Sequence, residues 1–215
     1  MRAVVFDLDG TLVDTIGLIL NTYVETIRSL GRAEVTTDDI LSNFNIGPTP
    51  VVLERFLGRP ISPQDLDAYY AAYEAAISRL QPFPRVAGML KQLHRKDYRL
   101  GLFTSATRRA VSLVLPRTGL DGHFDAIVAG DEVTHFKPAP DGLELVCRRL
   151  GVRTEEAAYV GDAEVDLTCA RSARVLGVQA VWGKTSVILA GGHLVASQPE
   201  EIIALIEHAN NAVLE

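Results

Sequence analysis

The sequence predicts an α/β fold, a doubly wound parallel sheet interrupted by an all-helical insertion. Three observations predict it. Five short apolar runs are continuous rather than alternating, as strands buried on both faces are. Helical periodicities separate most of these runs, and that alternation makes a parallel sheet covered on both sides. Between the first run and the second, more than eighty residues intervene, far more than one crossover helix requires.

In chain order, the first strand is Ala3–Phe6. From Thr15 to Leu80 the pattern is helical only. Ile16, Ile19, Leu20, Tyr23, Val24, Ile27 and Leu30 share one face at 3.6-residue spacing, a packing stripe. Thr36-Thr37-Asp38-Asp39 and Ser62-Pro63-Gln64-Asp65 have the composition of helix N-termini. The chain returns through Gln81–Val86, "QPFPRV", stiffened by two prolines. Strands are then expected at Arg99–Phe103, Ala126–Ala129, Ala157–Val160 and Val178–Trp182. Helices are expected at Val86–Arg95, Arg108–Leu115, Gly142–Leu150 and Glu200–Ala209. The predicted organisation is a Rossmann-like core of residues 1–14 and 83–215 and a helical domain of residues 15–82.

Composition bounds the function. Of 215 residues, 47% are hydrophobic and 22% charged, which fits a folded globular chain. A net charge of -6 argues against a nucleic-acid surface, which is normally basic. No apolar run approaches the ~20 residues of a membrane span. The N-terminus enters a strand without the marks of a signal peptide, so the expected location is the cytoplasm. Cys147 and Cys169 lie in helical apolar patterns and read as buried, reduced thiols.

Ligands of open parallel sheets bind at the carboxyl ends of the strands. Standing there are Asp7, Asp9, Gly10 and Thr11 after the first strand, and Thr104 and Ser105 after the second. Lys137 precedes the "KPAP" helix, and Asp162 and Asp166 follow the fourth strand in "GDAEVD". Four carboxylates against one lysine leave a surplus of about three negative charges, which resists joint ionisation. A hard divalent cation resolves the conflict, and Mg²⁺ takes carboxylate and phosphate oxygens. Hydroxyls and N–H groups at Thr104-Ser105 can hold phosphate oxygens, and Lys137 can neutralise charge beside them. A carboxylate can act as nucleophile in phosphoryl transfer, and a second one can move the proton. Residues two apart on an extended segment point the same way, so Asp7 and Asp9 act together while Leu8 faces the apolar side. Gly10 allows a tight turn beside the ligand.

DLDGT, the Thr-Ser pair after the second strand, the lysine of KPAPD and the GDxxxD run together resemble the four signature motifs of the haloacid dehalogenase-like superfamily. The resemblance spans nearly the whole chain, and the insertion resembles the C1 helical cap of its phosphoglycolate phosphatase-like and β-phosphoglucomutase-like branch. It implies that Asp7 is the nucleophile and Asp9 the general acid/base. Thr104, with Ser105 beside it, would bind phosphate, with Lys137 as the motif-three lysine. The metal would be held by Asp7, the Asp9 backbone carbonyl and Asp162, with Asp166 orienting the site. Asp9 favours phosphate chemistry over carbon–halogen cleavage. The implied activity is Mg²⁺-dependent hydrolysis of a small phosphorylated metabolite, phosphoglycolate by resemblance alone, in a monomer or homodimer. A phosphosugar mutase, an inorganic pyrophosphatase and an inactive binding module are the alternatives. "IGPTP" is similar to a segment of such pyrophosphatases.

Two positions depart from the resemblance. Relatives often carry Ala-Gly where Ala173-Arg174 stands, so the helix after GDxxxD is expected to end differently, as far as Gly177. Ala106 replaces the Lys or Ser common two residues after Thr104. Other residues have plain readings. Asp14 and Thr15 read as a helix N-cap rather than as catalytic groups, and Arg108 and Arg109 as substrate ligands or a solvated helical turn. Asn45–Pro50, "NIGPTP", reads as a substrate loop or a simple turn. His123 and His135 lack partners for zinc. Trp182-Gly183 should close the fifth strand.

Overall fold

The computed structural model describes residues 1–43, 46–183, 187–191 and 193–212. Six strands form one sheet: β1 (Ala3–Phe6), β2 (Arg99–Phe103), β3 (Ala126–Val128), β4 (Ala157–Gly161), β5 (Leu176–Ala180) and β6 (Leu194–Ala196). Their order is β3-β2-β1-β4-β5-β6, and every neighbouring pair is parallel. Successive strands step outward from β1 to one edge, then from β4 to the other. The reversal between β1 and β4 opens a crevice at their carboxyl ends, where Asp7 and Asp162 follow.

The sheet is covered on both faces. Val4 and Phe6 point to one side, with Leu100, Leu102 and Val178. Ala3 and Val5 point to the other, with Phe103 and Tyr159. The first side is packed by α5 (Val86–Arg95), α6 (Arg108–Thr118) and α9 (Glu201–Ala212), and the second by α7 (Asp141–Leu150) and α8 (Glu164–Ala173). Cys147 and Cys169 are buried and free, and burial pushes their thiols up to about 11 and about 12.

Three expectations need correction. The fifth strand lies two residues upstream of Val178–Trp182, because Gly177 is a strand residue opposite Tyr159, not a connector. The Trp182 side chain instead donates its indole N–H to Thr11 O (2.8 Å), tying the end of that strand to the DLDGT loop. β6 is an added edge strand, only three residues long. The helix after GDxxxD does not extend to Gly177: α8 ends at Ala173, and Arg174 takes the left-handed conformation at φ 57°. Val175 N–H closes the cap on Ala170 O at 2.9 Å.

Between β1 and α5, the described residues form four α-helices: α1 (Ile16–Ser29), α2 (Thr37–Leu41), α3 (Thr49–Leu57) and α4 (Pro63–Ala76). Thr36 and Ser62 cap α2 and α4 in reciprocal boxes with Asp39 and Asp65. Arg59 clamps Asp65 with two bonds of 2.6 and 2.9 Å. Ile19, Leu20, Tyr23, Val24 and Ile27 bury the stripe of α1, and Tyr23 meets Tyr69 of α4 with ring centres 4.8 Å apart. Departing and returning chain run side by side: Phe83 N–H donates to Leu12 O (2.9 Å), and Val13 pairs with Pro82. Among the described residues, no helix is long and apolar enough to cross a membrane.

Candidate active site

The crevice is built first from the segment leaving β1. Asp7 is 5% exposed, Leu8 is fully buried in the core, and Asp9 turns back to the crevice. Gly10 sits at φ 82°, where an added Cβ would lie 2.5 Å from the Asp162 carboxylate. Glycine is therefore required both for the turn and for the space. Thr11 Oγ1 donates to Asp162 Oδ1 at 2.8 Å, fixing the second acid from below. Thr15 stands at the N-cap position of α1, but its side chain makes no cap bond. It donates instead to Asp9 Oδ1 at 2.6 Å, which corrects the capping reading. Asp14 is exposed.

Lys137 crosses the floor. Its Nζ donates to Asp7 Oδ1 at 2.6 Å and to Asp166 Oδ1 at 2.8 Å, with all three side chains buried. The ammonium also lies 4.9 and 5.3 Å from the ring centres of Phe103 and Tyr159. Tyr159 Oη lies within hydrogen-bond reach of both Phe103 O (3.0 Å) and Asp166 Oδ1 (3.1 Å). Ala163 N–H, at the start of α8, donates to Asp166 Oδ2.

Four carboxylates and one cation set the electrostatics. Burial holds Asp7 well above the usual carboxylate range. Lys137 opposes this, but Asp166, Asp162 and Asp9 reinforce it. Burial also raises Asp9, against the Thr15 hydrogen bond and the Lys137 charge. Asp162 is pushed up to about 7 by burial and then by Asp166, with Thr11 opposing. For Lys137, burial alone would favour the neutral amine; Asp166 and Asp7 outweigh it and hold the ammonium.

This donor set fits a hard cation. One oxygen each from Asp7, Asp162 and Asp166 lie within 4.8 Å of one another. All the candidate ligands are oxygens, and among the described residues their surplus negative charge lacks a partner, as a magnesium site requires. At the end of β2, Thr104 and Ser105 line the same cavity. Thr104 Oγ1 accepts from Ala106 N–H at 3.1 Å, which leaves its hydroxyl hydrogen for another acceptor.

The cavity above this floor measures about 210 Å³ and is partly covered by residues of α1 to α4. Ile16, Ile19 and Tyr23 of α1 line it, so one end of the packing stripe faces the cavity. Gly47 and Thr49, from the "NIGPTP" segment, line it too; Asn45 lies outside the described residues. Arg108 and Arg109 do not: Arg108 pairs with Glu132, and Arg109 pairs with Asp67 at 2.9 Å. His135 bonds Asp141 at the surface, and His123 stacks on His94.

Sequence reasoning set Thr15 aside as a cap, and it missed Tyr159 and the cavity tyrosines Tyr69 and Tyr73. Thr15 precedes a helix, so its local pattern reads as a cap. Tyr159 sits inside a buried strand and reads as core. Nothing in their local spacing separates the roles.

The profile of the family described as "Haloacid dehalogenase-like hydrolase" matches residues 4–180. A phosphoglycolate phosphatase of Aquifex aeolicus is 26% identical over 209 residues, covering 97% of this chain and 98% of that protein. The pyrophosphatase PpaX of Bacillus velezensis is 32% identical over 187 residues, covering 85% of this chain and 84% of that protein. In fold, the chain resembles the crystal structure of CbbY from Rhodobacter sphaeroides in complex with phosphate. That likeness has a TM-score of 0.82 at 24% identity and covers 94% of this chain and 96% of the other.

Proposed function

Since this chain belongs to the haloacid dehalogenase-like hydrolase family, we propose that it is a magnesium-dependent phosphatase of small phosphorylated metabolites. The observation that carries this reading is Lys137 bridging Asp7 and Asp166 on the acidic floor of a partly covered cavity. Asp7 and Asp162, with the Asp9 backbone carbonyl, would hold Mg²⁺, while Asp166, already engaged by Lys137, Tyr159 and Ala163 N–H, would orient the site. The bound cation would offset the carboxylate charge and polarise a phosphoryl oxygen.

The chain's own groups divide the remaining work. Thr104, Ser105 and Lys137 would hold the phosphoryl group, and Asp7 Oδ attacks phosphorus as the bond to the leaving oxygen breaks. Asp9 gives its proton to that oxygen, so the alcohol departs neutral. Water then surrenders a proton to Asp9 and attacks the aspartyl-phosphate, freeing Asp7 and inorganic phosphate. Burial that favours protonated Asp9 suits the first step. Thr15 would hold Oδ1 and leave Oδ2 for the proton.

Residues 15–82 would act as a cap that opens for substrate and closes over the core of residues 1–14 and 83–215. The adjacent crossings at Val13 and Pro82 supply a compact hinge. The PpaX relative favours a second reading, hydrolysis of pyrophosphate. The test is phosphate release from a panel of monoesters and pyrophosphate, with Mg²⁺ and with chelator. Magnesium-dependent turnover of monoesters supports the proposal; turnover of pyrophosphate alone replaces it.

A further inference from the structure

Resting on that reading, the walls of the cavity narrow the substrate class. We infer that the group esterified to phosphate is uncharged, and that esters with a carboxylate or a second phosphate are poor substrates. The floor carries all the charge. The walls include Ile16, Ile19, Tyr23, Leu41, Tyr69 and Tyr73. Among the described residues lining the cavity, Lys137 is the one cation, and Asp7 and Asp166 already engage it.

The neighbouring arginines are turned to other work. Arg108 is held by Glu132 and by Ile127 O (2.9 Å). Arg109 is held by Asp67, with its guanidinium 4.2 Å from the Tyr70 ring centre. The tyrosines of the wall stay protonated, because burial raises Tyr23, Tyr69 and Tyr73 above their ordinary values. They offer neutral hydroxyls, which suit a substrate hydroxyl but cancel no charge.

An anion placed on the leaving side would therefore be desolvated without a counter-charge. The cavity volume, below the roughly 300–1,000 Å³ of drug-sized ligand sites, limits the group to a short alkyl, polyol or small aryl body. This separates the chain from both enzymes whose names its relatives carry, since glycolate and phosphate leaving groups are anionic.

The experiment compares matched pairs in Mg²⁺: 2-hydroxyethyl phosphate against phosphoglycolate, and glycerol 3-phosphate against 3-phosphoglycerate. The neutral member should have the higher kcat/KM by about 100-fold. Equal values, or preference for the acid, overturn the inference. If neither member nor a generic aryl phosphate is hydrolysed, the phosphatase reading fails instead. A second arm uses Leu41→Lys, at a wall residue that is 53% exposed and can carry a charge without disrupting the core. The neutral-to-acid ratio should fall by about 10-fold or more. An unchanged ratio contradicts charge as the basis of selection.

Discussion

Lys137 Nζ lies 2.6 Å from Asp7 Oδ1, an ion pair with side chains only 3% and 8% exposed. The pair joins segments 130 residues apart, and the same nitrogen reaches Asp166. Lys137→Met removes the cation and leaves buried acids facing one another. Breaking such a pair from one side costs about 3–5 kcal/mol. Denaturant unfolding at neutral pH should show a loss of that order, with hydrolysis falling about 1,000-fold or more. Lower pH should recover part of the stability, because the stranded carboxylates then protonate. Wild-type stability in this variant would mean that the bridge is structurally idle.

Thr15 acts on Asp9 across a loop. Its hydrogen bond favours the charged carboxylate, so Thr15→Val should raise the Asp9 pKa further. If Asp9 delivers a proton to the leaving group, the alkaline limb of the kcat profile then moves to higher pH. kcat itself should fall about 10-fold, through loss of one orienting bond. A limb that stays in place while kcat falls would reduce Thr15 to a packing residue.

Asp162 makes the metal-free protein sensitive to pH. Its folded value, about 7, is above the ordinary 3.8, so the fold disfavours its charged form. Below about pH 4 both folded and unfolded states hold the proton, and Asp162 exerts no effect. Between about 4 and 7 the unfolded state ionises first, and stability falls by up to about 4 kcal/mol. Above 7 the loss is complete and constant. Chemical denaturation in chelator across this range should show the decline; Asp162→Asn should flatten it, and saturating Mg²⁺ should reverse most of it. A wild-type profile no steeper than that of Asp162→Asn would contradict the assignment.

Arg174 ends α8 in a conformation that strains any residue with a Cβ. Arg174→Gly should stabilise the protein by about 0.5–1 kcal/mol, after allowing for the greater freedom of glycine in the unfolded chain. Thermal unfolding measures it. A lower melting temperature would show that the arginine side chain makes a compensating contribution.

The parts of this fold that were legible in the sequence are those set by periodicity. Val4, Val5 and Phe6 form an uninterrupted apolar run because both faces of β1 are covered, and α1 shows its stripe because only one face is. Strand ends were less legible: apolar Val181 and Trp182 follow the last residue of β5, with Val181 N–H still donating to Ala196 O, and the three residues of β6 are too few for any pattern. The carboxylates, Lys137 and the Thr104–Ser105 turn were legible because fixed chemistry sits at strand ends. Thr15 was not, since its reach to Asp9 depends on how the loop bends back through the Asp9–Val13 bridge. The tyrosine wall was hidden for a related reason. Tyr69 and Tyr73 obey helical packing, and only the closure of α4 over the crevice turns them into cavity lining.

Capture of the phosphorylated enzyme tests the central claim most directly. The protein is mixed with a phosphate-labelled monoester in Mg²⁺, quenched in acid during turnover, digested, and mapped by mass spectrometry. The label should sit on Asp7, and it should vanish in Asp7→Asn while the fold persists by circular dichroism. Label on another residue, or full hydrolysis by Asp7→Asn, would contradict the account.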